Sequence, residues 1–393
     1  MTDTGLPSNV YSLRQGDFYV IPGSPWVYWV NKTIRNKFKI PQTLGDLIGS
    51  THGTATYDNF RFLRFWWECI SQNIFMGNSW NEYLARNANQ PVLYMKGGTL
   101  LRWYGNQEYV VLLGVKGKTI EAFLDSKRDN IRGWEVIFKE GVTWSLISTK
   151  GFSVRYLPPG FIFDVAGSSG FPPTEYLATT LAIMSSSWME YALSLINPTI
   201  NFPAGYVGRV PFQSPSEEFK KYFDVLVLQC VNLQQSRAMH SENTFDYVAP
   251  YLILDGALRV QGINLHLTNL EKKLDELVFD LYDIDEENRQ SIKSQLRTEI
   301  IRNDEPYVEI VGGEDTISTI GILELPYEWL SYSVGIILGR FHPGSAGSLG
   351  SGIYRRSDFA IGSLPEPTEE EFNELVGNLS QFAYVDEQGG RHV

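Results

Sequence analysis

The segment RWYGNQEYVV at residues 102–111, with GVTWS at 141–145 and GFIFDVAGSS at 160–169, decides the fold of this chain. Short runs of aromatic and β-branched residues alternate here with glycine and proline, which is typical of strands joined by tight turns. Farther along the chain, apolar residues recur three and four positions apart, which predicts helices. The sequence therefore predicts an α+β fold, with a β-rich unit flanked by helices and followed by a mainly helical region.

Three regions are expected along the chain. Residues 1–92 are predicted to form a connector, residues 93–212 a β-rich domain that ends with a long helix, and residues 213–393 a helical spacer and C-terminal helical region. The long helix is predicted from Pro172 to about Ile196, because its apolar residues fall on one stripe.

Two capping boxes predict further helix starts. SPSE at residues 214–217 places a proline at the first helical position, and the helix behind it is predicted to reach about His240. TNLE at 268–271 predicts the start of another amphipathic helix.

Composition limits the classes of function. The net charge of −12 argues against non-specific binding of DNA by the whole surface. Cys69 and Cys230 form no C-x-x-C pair, which favours a reducing compartment such as the cytoplasm. The histidines are scattered, so no metal site is expected. The apolar segment 177–196 contains Thr, Ser and Glu, which favours a packed helix over a membrane span.

The β-rich region is locally basic. Between Arg86 and Gly160 there are eleven Lys or Arg and six Asp or Glu, a net of about +5 in an acidic chain. Arginine beside Trp and Tyr, with Asn and Gln close by, suits contact with phosphates and base edges. An ordinary β-rich core with buried aromatic residues and surface cations explains the same composition. Composition leaves both interpretations open.

A family resemblance favours the first interpretation. The three motifs quoted above, together with IPGSP at 21–25 and NFRFLRFWWE at 59–68, resemble the post-catalytic half of PglX-type adenine-specific DNA methyltransferases. These enzymes belong to bacterial BREX phage-defence systems and are related to type II restriction-modification methyltransferases. The resemblance spans roughly residues 18–385, and in that family this half carries the target-recognition domain.

The resemblance implies partners as well as a role. It implies sequence-specific recognition of double-stranded DNA in the cytoplasm, without a membrane. The expected partners are a catalytic methyltransferase half or subunit and other phage-defence proteins. The chain is then expected to begin after the catalytic domain, and its C-terminus is expected to be shortened as well.

Motifs for catalysis are missing from the sequence. Adenine methylation needs a glycine-rich turn for S-adenosylmethionine and an Asn-Pro-Pro-aromatic pocket for the flipped base. The segment NPTIN at 197–201 lacks the second proline and the aromatic residue. We therefore expect no catalytic residue and no cofactor or metal site in this chain, and S-adenosylmethionine only in the full enzyme. The segment is interpreted as a turn that is either purely structural or close to DNA.

Ten residues are predicted to face DNA, from their side-chain chemistry and their position in the family. A bidentate Arg–guanine or Asn–adenine pair contributes about 1–3 kcal/mol of discrimination. Lys116, Lys118 and Lys150 would add phosphate contacts, and Trp103 and Trp144 are expected in the core. The ten residues are Arg61, Arg64, Lys96, Arg102, Tyr104, Asn106, Thr143, Arg155, Ser168 and Asn201.

Arg61 and Arg64 illustrate the remaining ambiguity. They lie three residues apart, so on a helix they would share a face. They would then either contact phosphate or lie at a half-buried helix end with their charged groups in water.

Two other functions fit the same sequence. The chain could be a stand-alone specificity or interaction subunit with no methyltransferase partner, or a β-rich module that binds glycan or protein through exposed Trp and Tyr. Binding that depends on DNA and salt favours a DNA reader, whereas binding that responds only to sugars favours the glycan module.

Overall fold

The α+β class predicted from the sequence is confirmed by a computed structural model of the chain. Helices form most of its regular structure, and the strands are short. The predicted domain boundaries stay predictions. Lys116, Lys118 and the C-terminal residues around 368–380 lie outside the described part of the chain. The structure describes residues 11, 13–49, 53–86, 90–113, 135–252, 256–302, 320–341, 347, 384–385 and 391–392.

The helices of the described residues fall into short N-terminal elements and longer C-terminal ones. Helical turns of the 3-10 type cover Gln15–Tyr19, Trp66–Glu68, Ser71–Asn73 and Thr174–Tyr176. The α-helices are α1 (Lys32–Lys37), α2 (Leu44–Ile48), α3 (Asn59–Phe62), α4 (Trp80–Arg86), α5 (Leu177–Met184), α6 (Ser187–Ile196), α7 (Ala204–Val207), α8 (Glu217–Ala238), α9 (Gly256–Leu281), α10 (Glu286–Arg302) and α11 (Ile320–Ile337).

The strands form two sheets in the β-rich region and one C-terminal ribbon. The first sheet has the order β1-β3-β2-β6 and is antiparallel except for the β2–β6 pair, and the second has the antiparallel order β5-β4-β7. The strands are β1 (Leu63–Phe65), β2 (Val92–Met95), β3 (Tyr109–Val111), β4 (Gly141–Ser145), β5 (Val154–Leu157), β6 (Ile162–Phe163), β7 (Gly167–Gly170), β8 (Tyr384–Val385) and β9 (Arg391–His392).

The single long helix predicted up to Ile196 is wrong, because two helices occupy this segment. The helix is interrupted at Ser185 and Ser186. The Ser186 side chain caps α6 by accepting a hydrogen bond from the Met189 backbone N–H. Asp275 on α9 then accepts from both the backbone N–H and the hydroxyl of Ser187. Serine competes with the helix for backbone hydrogen bonds, which favours a helix end at this point.

The capping predictions have mixed outcomes. Ser216 caps α8 by accepting from the Phe219 N–H, so the helix starts two residues later than predicted, with Pro215 outside it, and reaches Ala238. The helix start at residues 268–271 is wrong, because α9 is continuous through it. The Thr268 hydroxyl donates to the Asn264 carbonyl one turn back, which is how threonine is accommodated inside a helix.

Two apolar clusters hold the fold together. The first surrounds the four-stranded sheet and includes Trp66 and, from α11, Trp329. The second lies between the three-stranded sheet and helices α5, α6, α8 and α9, and contains Trp103 and Trp144. Both of these tryptophans are almost fully buried, so their predicted core position is confirmed.

Within the described ranges, no helix is long and apolar enough to cross a membrane. The same ranges contain no group of three or more His, Cys, Asp or Glu side chains arranged to hold a metal ion.

Candidate nucleic-acid interface

A cavity of about 280 Å³ lies where the two sheets meet. In the first sheet, Tyr109 of β3 pairs with Phe65 of β1 on one side and with Tyr94 of β2 on the other. Lys96 comes directly after β2, so it lies at the same end of this sheet as these three residues. The far wall is formed by the end of β4 and by the residues that follow it in sequence. We call this space the junction cavity; its lining residues are Lys96, Gly97, Gly98, Glu108, Tyr109, Ser145, Leu146, Ile147 and Ala166.

Two glycines let the chain pass close to the second sheet. A Cβ on Gly97 would lie 2.8 Å from the Ala166 carbonyl oxygen. Gly98 has a φ of +119°, a conformation that favours glycine, and a Cβ there would lie 2.6 Å from the Asn106 side chain. The Ser145 hydroxyl donates to the Gly98 carbonyl at 3.1 Å, which fixes the loop to β4.

Arg155 lies directly behind this wall and is fully buried. Its Nη2 is 3.5 Å from both the Gly97 carbonyl oxygen and Ser145 Oγ, at the outer limit of a hydrogen bond. Among the described residues its Nε and Nη1 have no hydrogen-bond partner, and burial lowers the pKa of the guanidinium to about 10. A buried positive charge without a counter-charge is costly, since water no longer solvates it.

The second sheet carries three of the predicted site residues, two on one face and the third on the other. Thr143 pairs with Arg155 in β5 and with Ser169 in β7, so their side chains share one face. Ser168 pairs with Trp144 and projects to the opposite face, towards the helices. Thr143 and Ser168 are both buried, and the Thr143 hydroxyl donates to the Ser168 carbonyl.

An aromatic stack borders the junction cavity. Phe65 lies parallel to Trp67, with ring centroids 4.4 Å apart and 6° between the ring planes, and 5.1 Å from Tyr109. The Lys96 ammonium lies 5.7 Å from the centroid of Tyr109. Phe65 is exposed and Trp67 and Tyr109 are half-buried, so part of the stack is open to a ligand. Stacked, partly open rings beside a cation can bind bases or sugars.

Glu108 introduces an opposing charge into the cavity. Burial raises the pKa of its carboxyl, and a hydrogen bond with Tyr109 offsets part of this increase. Burial beside Glu108 also raises the pKa of Tyr109. The lining of the cavity therefore includes one half-buried cation, Lys96, and one partly desolvated carboxyl, that of Glu108.

Arg61 and Arg64 do not share a helix. Helix α3 ends at Phe62, and Arg64 lies on β1, where its Nη1 donates to the Leu63 carbonyl at 2.6 Å and the Phe60 carbonyl at 3.0 Å. Arg61 is exposed, with its guanidinium 5.7 Å from the Phe62 ring. The conditional prediction of a common helix face is therefore wrong, because the chain changes from helix to strand between them.

Tyr104 and Asn106 hold the 97–106 loop together from inside. The buried Tyr104 hydroxyl donates to Asp246, and burial beside that carboxylate holds the pKa of Tyr104 well above its usual range. Asn106 has a φ of +65° and is also buried, with its Nδ2 donating to the Thr99 carbonyl at 2.9 Å.

The remaining predicted residues lie near the surface. Arg102 is half-buried and forms an ion pair with Glu190 at 4.0 Å. Lys150 is exposed in the turn after β4. Asn201 is exposed and bridges to Ile147, which lines the junction cavity.

The turn at residues 197–201 is closed on itself. The Asn197 amide donates to the Asn201 carbonyl, and the Thr199 hydroxyl donates to Asn197 Oδ1 at 2.8 Å. The Asn197 side chain is buried and satisfied within the turn. This supports the structural interpretation of the segment.

Contact with DNA stays a prediction for all ten residues. Tyr104, Asn106, Thr143, Arg155 and Ser168 are buried and would need to become exposed to touch it. The residues that already have exposed surface are Arg61, Arg64, Lys96, Arg102 and Asn201.

Sequence reasoning missed the aromatic stack and Glu108. Phe65 and Tyr109 are brought together only by the β1–β3 register, and no signal in the sequence identifies that pairing. The sequence does show many aromatic residues at 60–67, which indicates an aromatic cluster but not its partner strand.

The resemblance predicted from the motifs is confirmed by sequence comparison. The chain is 29% identical over 344 residues to adenine-specific methyltransferase BrxX of Escherichia coli O9:H4 (strain HS), covering 83% of this chain and 27% of that protein. It is 34% identical over 211 residues to adenine-specific methyltransferase PglX of Lacticaseibacillus casei (strain Zhang), covering 51% of this chain and 17% of that protein. The chain thus corresponds to about a quarter or less of these relatives, and no family model matches it.

Among solved structures, the chain resembles the type IIL restriction-modification enzyme MmeI, solved in complex with DNA. The match has a TM-score of 0.40 and 14% identity, and covers 65% of this chain and 37% of MmeI. A similarity this weak supports no inference about function.

Proposed function

We propose that this chain recognises a DNA target sequence as part of an S-adenosylmethionine-dependent adenine-N6 DNA methyltransferase in a phage-defence system. The observation that carries the proposal is the sequence similarity to two adenine-specific methyltransferases, one of them along 83% of the chain. Such a protein works in the cytoplasm, on double-stranded DNA. S-adenosylmethionine and the flipped adenine bind to a catalytic half or subunit, because this sequence contains neither motif.

The surface beside the junction cavity has the chemistry that this role needs. Lys96 supplies positive charge, while the stack at Phe65 offers an aromatic face. Lysine and arginine position a protein on the phosphate backbone, and side chains with hydrogen-bonding groups read base edges. The half-buried Arg102 and the exposed Asn201 are the candidates for reading bases.

Selection from a random duplex DNA pool tests the proposal. The purified chain is incubated with the pool at low and near-physiological salt, and the retained DNA is sequenced. We expect one short motif to be enriched and to bind more tightly than a scrambled duplex of the same composition. Salt-sensitive retention without a motif contradicts sequence recognition. Retention of glycans but no DNA contradicts the proposal and favours the glycan-binding alternative.

A further inference from the structure

The junction cavity combines three features that together point to an anionic ligand. Lys96 lines it, Arg155 is buried directly behind its wall, and the wall itself is the Gly97-Gly98 loop. Because the glycines carry no side chains, the loop separates the cavity from the guanidinium by little more than the thickness of one backbone segment.

Arg155 is the most informative of these features. It is among the largest fully buried side chains of the described residues, alongside four tryptophans. Among those residues no carboxylate lies within ion-pair distance of it, and two of its three nitrogens have no hydrogen-bond partner. A charge buried in a low-dielectric interior acts over a longer range than one in water, so Arg155 raises the electrostatic potential of the adjacent cavity.

We propose that the junction cavity binds a phosphate group, with Lys96 as the direct contact and Arg155 as a buried charge that makes the site electropositive. Ser145 lines the same cavity, with its hydroxyl 3.5 Å from Arg155 Nη2, and can donate to the same ligand once released from the Gly98 carbonyl. The phosphate is either a free ion or part of a DNA backbone. Only the second assignment depends on the proposed function.

Glu108 gives the proposal a test of opposite sign. Its carboxyl lines the same cavity, so its negative charge opposes an anion. Glu108→Gln preserves the shape of the side chain and removes the charge, and it should therefore strengthen phosphate binding. A purely structural cavity would not respond to Lys96 and Glu108 in opposite directions.

The first experiment uses inorganic phosphate and the full chain. The affinity of the chain for inorganic phosphate is measured by titration calorimetry in chloride buffer at constant ionic strength. The proteins compared are wild type, Lys96→Met, Arg155→Met, Arg155→Lys and Glu108→Gln. We expect binding at least about tenfold weaker in Lys96→Met and Arg155→Met. We expect tighter binding in Glu108→Gln and near-wild-type binding in Arg155→Lys. Equal affinity in all variants, or no binding to wild type, overturns the proposal.

Folding of the variants is checked separately. Arg155→Met removes a buried charge and could alter the sheet, so circular dichroism and thermal unfolding are recorded without phosphate. Lys96 is only half-buried, and its variant keeps the proposal testable if Arg155→Met does not fold.

A competition experiment separates the two sources of phosphate. If a short duplex displaces inorganic phosphate, the site binds the DNA backbone. If phosphate binds but no duplex does, the site takes free phosphate and the proposed function fails while this inference stands. If duplex binds equally well to wild type and Lys96→Met, DNA does not use this site; the proposed function then stands, and the inference stands only if inorganic phosphate still binds more weakly to Lys96→Met than to wild type.

Discussion

The indole Nε1 of Trp103 donates a hydrogen bond to Glu271 Oε1 at 2.7 Å, which joins the 97–106 loop to helix α9 across 168 residues of sequence. Trp103 is almost fully buried. Glu271 is therefore an internal acceptor for the loop that leads to the junction cavity.

Removing this acceptor should destabilise the fold. Glu271→Ala leaves the buried Trp103 N–H without a partner, which costs about 1–3 kcal/mol. Glu271→Gln retains an acceptor and should cost less. Urea unfolding monitored by tryptophan fluorescence measures both, and equal stability of Glu271→Ala and wild type would show that the bond contributes nothing.

The glycine loop should tolerate substitution poorly. Gly98→Ala forces a side chain into a left-handed backbone conformation and against Asn106, so we expect a loss of about 1–3 kcal/mol in the free energy of unfolding. Gly205 is the matched control. It lies in α7 with no atom within 4 Å of the position that a methyl group would occupy, so Gly205→Ala should be neutral or stabilising by up to about 1 kcal/mol.

Contrary results are simple to recognise for this pair. Comparable thermal unfolding of Gly98→Ala and Gly205→Ala would mean that the loop adjusts without strain and does not need glycine at that position.

Asp275 should make stability depend on pH. Burial raises its pKa, although the two hydrogen bonds from Ser187 offset part of the effect. A carboxyl with a raised pKa binds its proton more tightly in the folded state, so the contribution of Asp275 to stability falls as pH rises from the unfolded value of about 3.9 through its raised folded value. Relative to wild type, Asp275→Asn should therefore gain stability as pH rises from about 4 towards neutrality.

Urea unfolding across this pH range checks the prediction. Asp224→Asn, at an exposed position on α8, serves as the control and should show no such trend. A difference between Asp275→Asn and wild type that is independent of pH would contradict the assigned cause.

The sequence predicts the fold class and many local elements because their signals are local. Alternating aromatic and glycine residues identify the strands around Trp144, and the helix capped by Ser216 begins two residues after the predicted position. Thr268 and Glu271 show where such signals fail. Their spacing matches a capping box, but the Thr268 hydroxyl bonds within the helix and Glu271 bonds Trp103.

The candidate site was harder to predict, because it depends on pairing between distant strands. Lys96, predicted to contact DNA phosphate, is half-buried and lines the junction cavity, and its contact with DNA stays a prediction. The interior position of Arg155 follows from its register with Thr143, which no sequence signal specifies. For the same reason, Arg155 and Ser168 could not be assigned to opposite faces of the sheet in advance.

The most direct test of the account is the salt dependence of duplex DNA binding. Affinities are measured by fluorescence anisotropy from low to near-physiological salt for wild type, Lys96→Ala and the control Lys221→Ala, an exposed lysine on α8. We predict that Lys96→Ala binds more weakly and that its slope of log affinity against log salt is smaller by about 1, while Lys221→Ala matches wild type. Equal losses in both variants, or no binding of wild type at low salt, would contradict a DNA interface at the junction cavity.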